Sequence, residues 1–387
     1  VKWVNTDQWV PIKSWCEDIE DGAMEQAKDM ANHPAAFRHV AIMADGHRGY
    51  GVPIGGVMAC TDAIIPFAVG SDIGCGMAAV KTTARASDLT PDRLREIMGH
   101  IRAAVPMGVG NAHTEDQPWV GFERFPKSVE HLIPNARKQL GTLGAGNHFI
   151  EIQADEDDGV WLMLHSGSRN LGYKIAESWH KKAVQLCEAW HSNIPCKELT
   201  FFPLHSIEGH GYKEAMDFAL EYAKANRQLM LGRVMIATSR VLDCTFEEEI
   251  NIHHNYAAVE NHYGKNVVVH RKGATSARKG ELGIIPGSMG TASYIVTGLG
   301  NRESFESCSH GAGRVMGRAQ ACRELTMEEC NKTMEGIIFG RWGQDRRGRV
   351  DLSEAPQAYK NIDQVIASQD DLVEVVVKLR PLAAMKG

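Results

Sequence analysis

Five short stretches of the chain set a thiol, a carboxylate or an imidazole against small or polar neighbours. "GSDIGCGM" carries Asp72 and Cys75, with glycine on both sides of the cysteine. "GTLGAGNHFIE" carries His148 with Asn147 and Glu151, "LMLHSGSRNLG" runs from His165 to Arg169, and "EINIHHNYAA" offers His253 and His254. The fifth is His310 in "FESCSHGAGR". A thiolate, a carboxylate and several imidazoles suit Zn²⁺, or Mn²⁺ or Fe²⁺ where the site stays open, and one thiolate can bridge two ions. Singly, each has a plainer reading: a strand-end histidine is usually a satisfied core or surface group, and a lone cysteine a small buried hydrophobe. Repetition of the pattern favours metal binding by some subset.

His310 stands on unusually bare backbone. Glycines let the main chain approach a ligand closely, consecutive N–H groups can form an anion-binding nest, and Arg314 adds a forked cation suited to phosphate. An imidazole there can be a nucleophile, an acid/base or a hydrogen-bond donor. A tight turn in which it caps a helix is the plain alternative. A second group also points to phosphate. "VVVHRKGATSARKG" places His270, Arg271 and Lys272 after a strand, and "IIPGSMGTASY" is a small-residue loop whose Ser288, Gly290 and Ser293 can present donors. With Arg169 and Arg314 these suffice for a polyphosphate; a solvated charged turn beside a structural Gly-Ser loop is the alternative.

Several chemistries are missing. There is no G-x-x-x-x-G-K-[ST], no G-x-G-x-x-G opening a helix after a strand, and no H-E-x-x-H, which argues against a P-loop NTPase, a Rossmann site and the common zinc protease. The K-x-D-G signature of lysine-nucleophile ligases is missing too.

The elements that must hold these residues are legible in outline. Thr90 and Pro91 form an N-cap and N1 pair ahead of an apolar face of Leu94, Ile97, Met98, Ile101 and Val105, which predicts a helix. "YKIAESWHKKAVQLCEAWH" and "YKEAMDFALEYAKANRQLMLGRVMIATSRVL" read as two more, the latter long and mostly buried on one side. "FRHVAIM", "GGVMAC", "VWLMLH", "NVVVHR" and "LVEVVVKL" read as strands, and the acidic "ADEDDG" as an exposed turn between two of them. Glycine-rich loops are spread over the whole chain, as expected of one catalytic unit drawing on distant segments. The formal net charge of −6 gives no overall basic footprint of a general nucleic-acid binder, although a local basic groove would suffice. Nine scattered cysteines without C-x-x-C pairs read as reduced thiols. No signal-peptide-like or membrane-spanning run is present, so a soluble cytoplasmic protein without membrane partners is the expectation.

Together the blocks "MADGHRGYGVPIGGV", "GSDIGCG", "GTLGAGNHFIE", "HSGSRNLG", "HHNYA", "HRKGAT", "PGSMGTASY", "SHGAGR", "EAPQAYKNID" and "MKG" resemble, in order, those of the RtcB family of RNA-splicing ligases. The resemblance implies a single compact α+β catalytic domain over residues 1–387, with a fold of its own and a monomer as the expected state. It implies a GTP- and Mn²⁺-dependent ligase joining RNA with a 2′,3′-cyclic phosphate or 3′-phosphate to RNA with a 5′-hydroxyl, in tRNA splicing or RNA repair. On its terms Asp72, Cys75, His148, His165 and His254 hold two Mn²⁺ ions, with Cys75 bridging, and His310 receives GMP. Asn147, Arg169, Lys272, Ser288, Gly290, Ala312 and Arg314 line the phosphate side; Glu151, Ser293, Tyr359 and Lys386 hold guanine. The chain departs from the family at Ala44-Asp45-Gly46-His47-Arg48, where many relatives have Pro-Asp-Val-His-Trp, a difference expected near the RNA path. A metal-dependent cyclic phosphodiesterase that stops before ligation is the rival; it needs the cluster but not Glu151, Tyr359 or Lys386. A non-catalytic RNA-end or metal-binding protein is a third reading, which the full set of candidate ligands and the nucleophile disfavour.

Overall fold

A computed structural model describes residues 1–340, 342–344 and 348–387. Two sheets organise them. The first has six strands in the order Trp3–Asn5, Ile12–Ser14, Ala36–His47, Ile54–Cys60, Lys265–Lys272 and Asn255–His262. The second runs Ile250–His253, Gly76–Arg85, Gly159–Ser166, Phe149–Ala154, Val373–Lys386, Ser293–Gly298 and Leu282–Ile285, with the short Ile338–Phe339 paired parallel to Val373–Lys386. Strand Ile250–His253 belongs to the second sheet and Asn255–His262 to the first, so the chain changes sheets at His254.

Helices fill the space against these sheets. Pro91–Ala104 buries Leu94, Ile97, Met98 and Ile101 as its apolar spacing predicts, and the Thr90 hydroxyl accepts from the Arg93 amide at 3.3 Å. The long helix Ile207–Ser239 crosses both interiors: Met230, Leu231 and Val234 pack on Leu162 and Leu164, while Tyr212, Met216 and Tyr222 pack with Leu171 and Ile175. Its sequence-based start at Tyr212 falls five residues late, because Ser206 caps it through the Gly209 amide. The helix after His165 likewise begins earlier than its apolar pattern suggests, at Arg169, which adopts a left-handed φ of 58°. "ADEDDG" does join two strands, but Asp155 is buried there, accepting from the Trp161 indole and pairing with Lys81 at 3.0 Å. All nine cysteines are free, and among the described residues no helix is long and apolar enough to cross a membrane.

One expectation fails for a clear reason. His270 and Arg271 do not follow a strand but lie inside Lys265–Lys272, buried. His270 Nε2 accepts from the Ile65 amide at 2.9 Å. Arg271 makes a bidentate pair with Glu260 at 2.6 and 3.0 Å, and also donates to Ser307 Oγ and the Phe305 carbonyl. The last two bonds tie the first sheet to the segment that leads into His310. Burial alone would raise the Glu260 carboxyl, but bonds from His262 and Arg271 bring it down to about 2. A depressed carboxylate stabilises the fold above its ordinary pKa and loses that contribution as pH falls through the folded value. The urea midpoint should therefore drop between pH 5 and pH 2.5, and Glu260→Gln should already be destabilised at pH 7, by about 3 kcal/mol. A Gln variant as stable at pH 7 as the parent would refute this.

Candidate active site

The metal-ligating candidates gather at one end of four neighbouring strands. His253 is paired with Gly76, Gly76 with Ser166, and His165 with Phe149. Cys75, His148 and His254 are each one residue beyond a paired strand end, and His165 is one residue inside its own. The ladder continues to Lys386, opposite Phe149. Hydrogen-bond register therefore brings together residues that lie far apart in sequence.

Side-chain geometry closes the cluster. Cys75 Sγ is 3.4 Å from His148 Nε2 and 3.2 Å from His165 Nε2. His165 Nε2 lies 3.3 Å from His254 Nε2, and Asp72 Oδ2 lies 3.3 Å from His148 Nε2. The opposite ring nitrogens of two histidines are bound to carbonyls: His148 Nδ1 donates to Leu143 O at 3.0 Å and His165 Nδ1 to Asn147 O at 3.1 Å. That fixes the tautomer and leaves both Nε2 lone pairs turned inward, the orientation that carbonyl partners give to metal-bound imidazoles. Burial, reinforced by neighbouring imidazoles, holds His165 and His254 well below the usual histidine range, so both are neutral. Burial and the Asp72 carboxylate push the Cys75 thiol up. Neutral imidazole lone pairs converging on a buried sulfur and a carboxylate fit a divalent cation. Asp72 is braced from behind, because its Oδ1 accepts from the amide and hydroxyl of Ser168.

His310 shares the cavity, its ring 4.8 Å from that of His254, centroid to centroid. Strand Ser307–Ser309 delivers it, pairing with Ala274–Ser276. Gly273, at φ 60°, lets the neighbouring turn pass: a Cβ there would lie 3.1 Å from His310 Cε1 and 2.3 Å from Ile54 Cγ2. The backbone N–H groups of His310 and Gly311 do converge on an anion, but it is the protein's own. Asp45 Oδ2 accepts from both, at 3.1 and 3.2 Å, and lies 2.6 Å from His310 Nδ1. Asp45 is fully buried; burial would raise its carboxyl, but His310, helped by His47 and Lys360, brings it below the usual carboxylate value. The carboxylate lies against Nδ1, so Nε2 is the nitrogen left for chemistry, much as the acid of a catalytic triad orients its histidine. Asp45 was not singled out from the sequence, although it lies inside a quoted block. Its partner is 265 residues away.

The remaining candidates separate into a wall and a layer behind it. One cavity of about 1040 Å³ is lined by Asp72, Cys75, His165, His254 and His310, and further on by Asn147, Lys272, Ser288, Ala312, Arg314, Tyr359 and Lys386. Lys272 donates to the Tyr50 carbonyl, and burial lowers its ammonium to about 7. His148, Glu151, Arg169, Gly290 and Ser293 stand behind the wall. Arg169 donates to Thr142 Oγ1 at 3.0 Å. Ser288 does not offer a free amide, since its N–H donates to Thr291 Oγ1 at 2.7 Å. Gly290 packs where a Cβ would lie 2.8 Å from the Thr333 carbonyl. Gln153 bridges Glu151 at 2.7 Å and Ser293 at 3.1 Å, and burial pushes the Glu151 carboxyl up to about 8 against the pull of Lys386. Glu354, absent from the sequence-based set, gathers Arg314, Arg318, Tyr359 and Lys386 around one carboxylate. Arg314 is turned to it and lies over the Tyr359 ring at 4.8 Å.

Fold and site together define a class: an α+β chain whose strand ends assemble a thiol–imidazole–carboxylate cluster fit for a metal, facing a carboxylate-held histidine. Comparison with known proteins gives the particular family. The family model described as tRNA-splicing ligase RtcB matches residues 26–131 and 113–387. The RNA-splicing ligase RtcB of Escherichia coli K12 is 40% identical over 409 residues, an alignment covering 99% of this chain and 98% of the relative. The tRNA-splicing ligases RtcB of Methanococcus maripaludis and Thermococcus kodakarensis are 34% and 32% identical, covering 96% and 95% of this chain and 92% of each relative. The chain belongs to the RtcB family.

Proposed function

We propose that the protein is a GTP- and Mn²⁺-dependent RNA ligase that joins 3′-phosphate or 2′,3′-cyclic phosphate ends to 5′-hydroxyl ends through a His310–GMP intermediate. The observation that carries this reading is the placement of His310: Nδ1 lies 2.6 Å from the Asp45 carboxylate, and Nε2 is left for a cavity shared with the thiol–imidazole cluster. Nε2 attacks the α-phosphorus of GTP, pyrophosphate leaves, and GMP is held as a phosphoramidate. An RNA 3′-phosphate oxygen then displaces histidine from that phosphorus, giving an RNA end capped by a pyrophosphate-linked GMP. The incoming 5′-hydroxyl attacks the RNA phosphorus, loses its proton, and GMP leaves with the electron pair. A cyclic end is first opened by water to the 3′-phosphate.

Asp72, Cys75, His148, His165 and His254 would hold two Mn²⁺ ions, which supply Lewis-acid stabilisation of phosphoryl oxygens and activation of an attacking oxygen. Lys272 has a buried, readily neutralised ammionium suited to gaining a phosphate partner. Lys386 lines the cavity and would supply a donor to the guanine edge. Glu151, on the adjacent strand behind the wall, is the acceptor that the family resemblance implies and would meet the base only after turning from Gln153 and losing its proton. At the mouth of the cavity the rings of Tyr50 and Tyr173 are 67% and 48% exposed, and such faces stack unpaired bases.

The test is to incubate the folded, Mn²⁺-loaded protein with α-³²P-GTP or α-³²P-ATP and look for acid-labile label on the denatured chain. Label from GTP alone is expected, followed by its transfer to an RNA 3′-phosphate. No label, together with opening of 2′,3′-cyclic ends, would favour the phosphodiesterase reading instead.

A further inference from the structure

Midway along the helix Ile207–Ser239, where its neighbours are apolar, Asn226 and Arg227 are both fully buried. Arg227 makes no ion pair with a carboxylate among the described residues; it donates only to neutral acceptors. Burial lowers its guanidinium to about 10, which leaves it charged. An arginine held this deep without a paired carboxylate is costly unless its donors are bonded. All three of its nitrogens are. Nη1 donates to Gly74 O at 2.8 Å and Ser166 O at 3.0 Å, Nη2 to His253 Nδ1 at 3.0 Å, and Nε to Asn251 Oδ1 at 2.8 Å.

The acceptors are not scattered. Gly74 lies between Asp72 and Cys75 and directly precedes the cysteine, Ser166 follows His165, and His253 precedes His254. Asn226 completes the set: its Oδ1 accepts from the amides of Gly141 and Thr142 at 2.7 and 3.1 Å, in the turn whose Leu143 carbonyl holds His148. Its amide also donates to Ser166 Oγ and Gly167 O, at 3.2 and 3.1 Å. One dipeptide on this helix therefore bonds to the residues next to Cys75, His165 and His254 and to the turn that holds the His148 ring.

We infer that Arg227, with Asn226 beside it, is the positioning residue of the metal centre, fixing the mutual placement of Asp72, Cys75, His165 and His254 without touching substrate. This rests on the metal reading of the cluster above. A planar fork with several fixed donors does what a lysine cannot. The fixed spacing of the ligand loops, rather than any one contact, is what a metal reads.

The test uses the full-length chain as Arg227→Met and Arg227→Lys, titrated with Co²⁺ and followed by the thiolate-to-cobalt absorption band, with Mn²⁺ affinity measured by EPR. Circular dichroism and the melting temperature of the metal-free proteins report the fold separately. Folded Arg227→Met should bind both ions about 10- to 100-fold more weakly, with the thiolate band reduced even at saturation. Arg227→Lys should fall between it and wild type. If the Met variant does not fold, the same band and affinity in the Lys variant decide. Wild-type affinity and band in a folded variant would overturn the inference and leave the metal reading standing. Failure of the wild-type protein itself to bind Co²⁺ or Mn²⁺ would overturn both.

Discussion

His310→Ala is expected to take up no label from α-³²P-GTP and to seal no RNA, a loss on the order of 10⁴-fold or more, as for removal of other covalent nucleophiles. The variant should still bind Co²⁺ with the wild-type thiolate band, because the histidine contributes no atom to the Cys75–His148–His165 group. That pairing of results separates loss of the nucleophile from loss of the site. The substitution also leaves the fold largely intact on structural grounds: the strand Ser307–Ser309 is held by its pairing with Ala274–Ser276 and by Arg271, not by the imidazole. Guanylate found on His310→Ala in comparable yield would end the proposed chemistry.

Asp45→Asn should produce the second largest effect, and of a different kind. The carboxylate oxygen Oδ2 takes the His310 ring and two backbone amides at once. A carboxamide oxygen in the place of Oδ2 keeps the two amides but loses the negative charge that orients Nδ1–H and offsets the positive charge developing on the ring as Nε2 attacks. The amino group falls where Oδ1 has no partner. In a catalytic triad the same change costs about 10⁴ in rate, so a fall of about 10²- to 10⁴-fold in the rate of GMP transfer is expected here. Asp45 is fully buried and lies behind the histidine, so GTP affinity should change little. Rapid-quench labelling against equilibrium GTP binding distinguishes the two quantities. Equal losses in rate and affinity would instead mean that the pocket has collapsed, and an unchanged rate would remove Asp45 from the chemistry.

The ligand stretches were legible because each joins an uncommon side chain to small neighbours, and because the apolar runs beside them had clear strand character. What periodicity could not supply was partnership. Nothing near Asp45 announces that its carboxylate will fill the nest at His310, so an anion site for a ligand was the natural reading of two glycine-flanked amides. Arg271 looked like a phosphate cation because its partner Glu260 lies on a neighbouring strand, and a charge run before a glycine carries no sign of burial. The strand runs to Lys272, one residue past the "NVVVHR" reading, and only the last of the three basic residues reaches the cavity. Asn226 and Arg227 fall in the polar run "KANRQ" of a helix with many charged residues, a pattern that ordinarily means a solvated face. Only their bonds to Gly74, Ser166, Asn251 and His253 and to the turn at Gly141 show that they point inward.

The alignment of Gly76, Ser166, His253 and Phe149 across four strands has a consequence for how the chain can change over generations. Side chains alternate between the faces of a sheet, so a single residue gained or lost within Gly76–Arg85, Phe149–Ala154 or Gly159–Ser166 would turn every residue beyond it to the other side. Length changes should therefore accumulate in the connections, such as the loops between Ala104 and Ile133, and be purged from the strands. In this protein the inheritance of the site is a matter of counting as much as of residue identity.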